Sequence, residues 1–189
     1  MVLTVISLTG IVILVAWLVI LGIKKIANEY PPAAPEQSPI SGVGGWLLLL
    51  ICILLLDPLR TLNGLSSFAV IEYQNPNILL LAGYSTYKTV TRITFLLAAG
   101  LSFYAGASLT GGRNISVVNR AKIILWISGP LTYLIVDVFL PHTVFQRYKF
   151  SPESMSKVLI SCIVAAVWTA YLYKSKRVKG TYGNRTENT

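Results

Sequence analysis

Apolar residues gather in long runs along this chain, separated by short segments that hold most of the charge, proline and turn-forming residues. Met1 to Ile23 contains no charge and ends at Lys24-Lys25. A hydrocarbon core about 30 Å thick takes about 20 apolar residues to cross, so this run predicts a first span. It lacks the basic n-region, short apolar stretch and A-x-A-like site of a secretory signal peptide, and is expected to be retained. Pro31 to Pro39 cannot propagate a helix and predicts an extended connector.

The second run opens at Gly42 and is interrupted by Asp57-Pro58. Val43 to Leu56 would rise only about 21 Å, so the helix is expected to continue to around Leu62, or the bilayer to thin, with Asp57 near one interface. Asn63 to Lys88 reads as an interfacial loop with room for one short helix, because NGLSSF and QNPN carry turn residues. A third span runs from Val90 to Leu109 and stops at Thr110-Gly111-Gly112. Along it Ala98, Ser102, Gly106 and Thr110 recur every four positions, the small-residue spacing of a helix-packing face, although small residues are frequent in any membrane helix. The fourth span, Ala121 to Leu140, should kink at Gly129-Pro130 and end at Pro141. The fifth, Ser154 to Tyr173, carries a second small row at Ser161, Ala165 and Thr169.

The expected fold is therefore an all-α polytopic membrane protein. A four-helix transmembrane core (42–182) follows one extra N-terminal transmembrane helix (1–23) and a proline-rich cytoplasmic linker (24–41), and a disordered cytoplasmic tail (183–189) closes the chain. Composition supports the class: 54% of residues are hydrophobic and 12% charged, about half the share usual in soluble proteins, too few to cover a small water-soluble fold. Disordered, collagenous and disulfide-rich classes are excluded by the same figures, and mean hydropathy is +0.65.

The net charge of +9 gives an orientation. Ten Lys and Arg fall on one side of five alternating spans (Lys24, Lys25, Arg113, Arg120, Lys122, Lys174, Lys176, Arg177, Lys179, Arg185) and six on the other. The richer side should be cytoplasmic, with the N-terminus outside and the C-terminus inside. Trp46, Tyr171 and Tyr173 then fall near the inner interface and Tyr148 near the outer one, while Trp126 and Trp168 lie deeper. Because the basic residues are divided among loops, nucleic acid is not an expected partner. Lys174, Lys176, Arg177 and Lys179 lie just past the last span, where they either contact anionic lipid headgroups or only fix topology.

Two blocks resemble a known family. Gly42-Val43-Gly44-Gly45-Trp46-Leu47, a leucine run and Pro58-Leu59 open the core; Trp168, Tyr171 and Ser175-Lys176-Arg177-Val178-Lys179-Gly180-Thr181-Tyr182 close it. Together they are similar to the bacterial inner-membrane family catalogued as domain of unknown function 2569, over about Gly42 to Tyr182. The resemblance implies a four-helix inner-membrane core with both ends in the cytoplasm, and implies no activity. The first span and connector depart from it. Read without the family, Gly42, Gly44 and Gly45 permit a tight entry or a close backbone approach beside Trp46, or merely end a flexible linker.

Ionisable groups inside spans are candidate sites. Asp137 falls within the fourth span and Asp57 at the end of the second, with Arg60 and Arg92 at the same level and Glu72 and His142 close in depth. These form either an ion-pair layer that fixes helix register or a polar vestibule for a small ligand or proton. Catalysis is not expected. The chain has one histidine, Cys52 and Cys162 read as small buried residues, and no phosphate-binding glycine loop is present. No cofactor or metal is implied. The sequence thus points to a non-enzymatic inner-membrane protein acting through helix, protein or lipid contacts. The alternative is a small homodimeric transporter or channel with a periplasmic vestibule, pairing faces such as Ala98, Ser102 and Gly106.

Overall fold

A computed structural model of the chain describes residues 21, 22, 25, 42–145 and 152–183. Apart from three positions, the expected first span and linker lie outside the described residues, as do Tyr148 and the tail beyond Gly183. The described core is helical throughout, without strands. Four helices are long and apolar enough to cross a membrane: α1 (Trp46–Gln74), α2 (Tyr84–Gly111), α3 (Ile115–Val144) and α4 (Pro152–Lys174). A short α5 (Lys176–Tyr182) follows α4 after Ser175, whose hydroxyl accepts from the Val178 amide and caps it. Large apolar side chains such as Leu97, Ile123, Leu159 and Ile163 cover the outside of the bundle, as befits a surface solvated by lipid.

The segment expected as an interfacial loop is instead the top of a helical hairpin. α1 passes through Pro58 without stopping, spans 29 residues or about 43 Å, and puts Asp57 about 16 Å along its axis from Trp46. The connection is short: Asn75, a 3₁₀ turn at Pro76–Leu80, and Gly83. Gly83 adopts the left-handed φ of 85° at the cap of α2, and a Cβ there would lie 2.5 Å from Val144 Cγ1, so only glycine lets the hairpin tip meet the end of α3. Below the tip, Lys88 pairs with Glu72 at 2.5 Å, Tyr84 donates to the same carboxylate at 3.1 Å, and the Phe68 and Tyr87 rings meet edge-on at 6.4 Å. These tertiary contacts outweigh the local turn preference of Asn63-Gly64 and Ser66-Ser67.

The small-residue row of α2 packs inside the chain. Ala98, Ser102, Gly106 and Thr110 are all buried. A Cβ on Gly106 would stand 2.9 Å from Leu55 Cγ and 3.2 Å from Leu54 Cβ, so α1 and α2 meet at a distance only glycine allows. The row is therefore buried within the chain, with Gly106 seated against α1. The second row faces inward too: Ala165 is buried and Thr169 accepts from Trp126 Nε1 at 3.2 Å, joining α4 to α3.

Proline shapes α3 through its hydrogen-bond ladder. Pro130 supplies no amide donor, and the helix widens to π geometry at Ile127–Leu131 and again at Leu134–Phe139 before an α-helical last turn, Leu140–Val144. Ser128 and Thr132 hydroxyls donate to the Ile124 and Ile127 carbonyls at 2.8 and 2.9 Å, partnering backbone groups around the bulge. Pro141 does not end the helix. It sits in the first turn of the last segment, where a missing amide is tolerated.

At the opposite end, the two sequence blocks come together. Gly45, with φ 57°, caps α1, and Gly42 donates its amide to Thr181 Oγ1 at 3.0 Å. A Cβ on Gly44 would meet Arg177 Nη1 at 2.6 Å. Tyr182 is fully buried among Leu47, Leu109, Val118 and their neighbours, and its hydroxyl donates to the Leu109 carbonyl. That carbonyl lies in the last turn of α2, where no intrahelical donor exists; Arg113 likewise donates to the Thr110 and Gly112 carbonyls, at 3.0 and 3.1 Å. Burial also holds the Tyr182 phenol above the ordinary tyrosine range.

Two outcomes follow from this packing. Gly106→Leu should lower unfolding stability in detergent by about 1–3 kcal/mol through overpacking against Leu54 and Leu55, whereas Gly100→Ala, which meets nothing within 4 Å, should change little. Tyr182→Phe leaves the Leu109 carbonyl without its donor and should cost about 1–3 kcal/mol at neutral pH. The phenol ionises near pH 10 when unfolded and higher when folded, so its stabilisation is complete below about pH 10 and lost as pH rises further. Melting curves at about pH 8 and about pH 11 should therefore show the gap between wild type and Tyr182→Phe closing at the higher value; a constant gap would exclude the buried phenol as the source.

Candidate functional site

The four helices pack as an open ring: α1 lies chiefly on α2, α2 on α3, and α3 on α4. Between α1 and α4 the ring is not closed by a comparable contact, and two adjoining chambers lie inside this gap. The first, of about 620 Å³, is lined by Arg60, Phe68, Thr91, Tyr133, Asp137 and Lys157 among others. The second, of about 270 Å³, lies between Ile53, Leu54 and Asp57 of α1, Leu125 and Gly129 of α3, and Ile160, Val164 and Ala165 of α4. Arg60, Tyr133 and Lys157 line both and so form the boundary between them. The first chamber has the size of a ligand pocket and mixes aromatic walls with a few polar groups.

Each polar wall residue has a definite support. Arg60 Nε lies 3.4 Å from Asp57 Oδ1 one turn back on α1, and Arg60 Nη2 donates to Tyr133 Oη at 3.0 Å. Tyr133 emerges between the two π segments of α3 and is fixed edge-on to Phe95, 6.3 Å away. Lys157 Nζ lies 2.9 Å from Glu153 on the outer turn of α4. Asp137 is half-buried, with Lys157 and Glu153 as the charges that act on it. Thr91, only 1% exposed, has a hydroxyl with no hydrogen-bond partner. A buried hydroxyl is costly to leave unpaired, and this one belongs to the chamber wall.

The four residues singled out from sequence do not form one cluster. Asp57 and Arg60 pair, and Arg60 and Asp137 share the first chamber, but Arg92 turns away to stand over the Phe68 ring, 5.9 Å from its centre. Glu72 joins Lys88 and Tyr84 rather than the chamber, and His142 lies in the last turn of α3. Lys157, Tyr133 and Thr91 were not singled out. A lysine inside the fifth apolar run was a visible signal; an uncharged tyrosine and threonine gave none.

At the other end, Lys174, Lys176 and Lys179 are exposed, while Arg177 is drawn in against Gly44. Lys122 stands over the Tyr173 ring at 5.3 Å and Trp46 meets Trp168 at 6.3 Å, so basic and aromatic groups share this rim. No group of His, Cys, Asp and Glu able to hold a metal ion occurs among the described residues.

Fold and composition together define a polytopic helical membrane protein. The family model described as protein of unknown function (DUF2569) matches residues 40–183, most of the chain, and the protein belongs to that family. Comparison with curated proteins and with solved structures returns no match.

The side-chain pairings predict a contrast in double-mutant cycles. Asp57→Asn and Arg60→Gln should each lower thermal stability in detergent, with the double variant losing less than the sum by about 0.5–3 kcal/mol. Asp137→Asn and Arg92→Gln share no ion pair among the described residues and should add within about 0.5 kcal/mol. Strong coupling between Asp137 and Arg92 would contradict the separation of these two groups.

Proposed function

We propose that this protein is a non-catalytic ligand-binding protein of the bacterial inner membrane, whose first chamber is a vestibule entered from the periplasmic side. The observation that carries the reading is the first chamber itself. A cavity of ligand-pocket size holds two cations, a carboxylate and an unpaired buried hydroxyl. A purely structural ion-pair layer would close on itself; here the charges line open volume.

Orientation rests on charge. Arg113, Arg120, Lys122, Lys174, Lys176 and Lys179 gather at the end where Trp46 and α5 lie, which supports a cytoplasmic position for that end. The exposed lysines there suit contact with anionic headgroups, each contributing about 1 kcal/mol. The vestibule then belongs to the outer half of the membrane.

Cysteine labelling tests both points. In a Cys52→Ala, Cys162→Ala background, a membrane-impermeant thiol reagent applied to intact cells should label Thr61→Cys and Tyr133→Cys in the chamber wall. It should label Lys179→Cys only after the membrane is opened. Protection of both wall positions in opened and intact cells alike would exclude a water-filled vestibule, and labelling of Lys179→Cys in intact cells would reverse the orientation.

A further inference from the structure

The second chamber is a cleft in the side of the bundle rather than a hole through it. Ile53 on α1 and Ile160 and Val164 on α4 form its lips and are all exposed on the outer surface, and Ser102, Leu125 and Gly129 form its floor. In a bilayer, exposed apolar lips at mid-helix face hydrocarbon, so a chain from the surrounding lipid can enter sideways without crossing a polar barrier. The cleft ends at Arg60, Tyr133 and Lys157, where the polar vestibule begins. Apolar groove, cationic boundary and wet chamber thus follow one another in the order in which a membrane amphiphile presents its tail, its acidic head and its water-facing end.

The boundary residues suit a phosphate. A guanidinium carries five N–H donors and an ammonium three; the bonds described use two on Arg60 and one on Lys157. Their present partners are modest. Arg60 meets Asp57 at 3.4 Å, and Lys157 meets Glu153, whose side chain is 77% exposed and only one turn away on the same helix. A phosphate between the two cations would form charge-assisted bonds stronger than either.

Building on the vestibule reading, we propose that cleft and vestibule form one site for a phosphate-headed amphiphile of the bilayer, its head held by Arg60, Lys157 and Tyr133 and its acyl chain lying in the α1/α4 cleft. The test uses the purified full chain in detergent, with binding followed by native mass spectrometry and thermal shift. The probes are short-chain phosphatidylglycerol, the matched diacylglycerol and glycerol phosphate. Phosphatidylglycerol should bind and raise the melting temperature, while the other two have little effect. Lys157→Gln, at an exposed position that should not disturb folding, is expected to weaken that binding by roughly 10- to 100-fold, the loss of a hydrogen bond to a charged group. Val164→Trp, which fills the cleft, should weaken it independently of charge, whereas Gly100→Ala, which meets nothing within 4 Å and lines neither chamber, should not.

Equal binding of glycerol phosphate would overturn the amphiphile and leave the vestibule standing. Equal binding of diacylglycerol would overturn the phosphate head, and undiminished phosphatidylglycerol binding in both Lys157→Gln and Val164→Trp would reduce the effect to general lipid solvation and sink the site. None of these outcomes alters the cysteine labelling on which the vestibule itself depends.

Discussion

The seat of Gly106 against Leu54 and Leu55 is the contact from which the rest of the arrangement follows. Lipid offers no hydrophobic force to drive one apolar helix onto another, so α1 and α2 must gain their association from close packing of backbone and small side chains. The buried row Ala98, Ser102, Gly106 and Thr110 runs along just over three turns of α2, with Gly106 seated on α1. Once α1 is drawn onto α2 over this length, it continues as a helix beyond the apolar run, and the Glu72–Lys88 pair and the Phe68–Tyr87 contact fasten the extension. Arg60 and Thr91 are thereby carried to the wall of the first chamber.

The basic end of the bundle and the middle of α3 solve the same problem in different ways. Every helix terminus leaves backbone groups without partners, and near a membrane each needs an answer. At the basic end the answers come from side chains: Tyr182 and Arg113 donate to the last carbonyls of α2, Thr181 accepts from Gly42, and α5 is held against the core by the same bonds. Val178 and Tyr182 of α5 are fully buried there. In the middle of α3 the backbone is loosened by Pro130, and hydroxyls of Ser128 and Thr132 partner the neighbouring carbonyls instead of a tight helix. The open chambers lie where the ladder is loosened, since Gly129 and Tyr133 in and after the first bulge are wall residues.

The spans of the core were legible because a bilayer writes its thickness into the sequence as apolar length. The limits of that reading are equally physical. Hydropathy reports what contacts lipid, not where a helix ends, and so it stopped α1 near Leu62 although Phe68, Glu72 and their partners on α2 extend it to Gln74. Proline reads as a terminator at Pro141; in a helix already held by neighbours one missing amide does not break the chain's path, and α3 continues past Pro141 as α1 does past Pro58. Charge drew attention to Asp57, Arg60, Arg92 and Asp137, yet which of them meet is decided by helix rotation, and rotation is fixed by Gly106 and the π segments rather than by charge. Thr91 and Tyr133 bear no signal in sequence; their role comes entirely from the space in front of them.

That space bears on why the charges are tolerated at all. Asp57 sits about 16 Å along α1 from Trp46, near the middle of a hydrocarbon core if Trp46 marks the interface. An isolated carboxylate at that depth would be strongly disfavoured, and pairing with Arg60 offsets the cost only where the guanidinium keeps further partners. Tyr133 is one. The remaining donors need water or an anion, and the chamber above Arg60 has room for either. The chamber is therefore not an addition to a finished bundle. Without it the Asp57–Arg60 pair would have to be solvated by α1 and lipid alone, and the sequence would be expected to carry apolar residues at both positions.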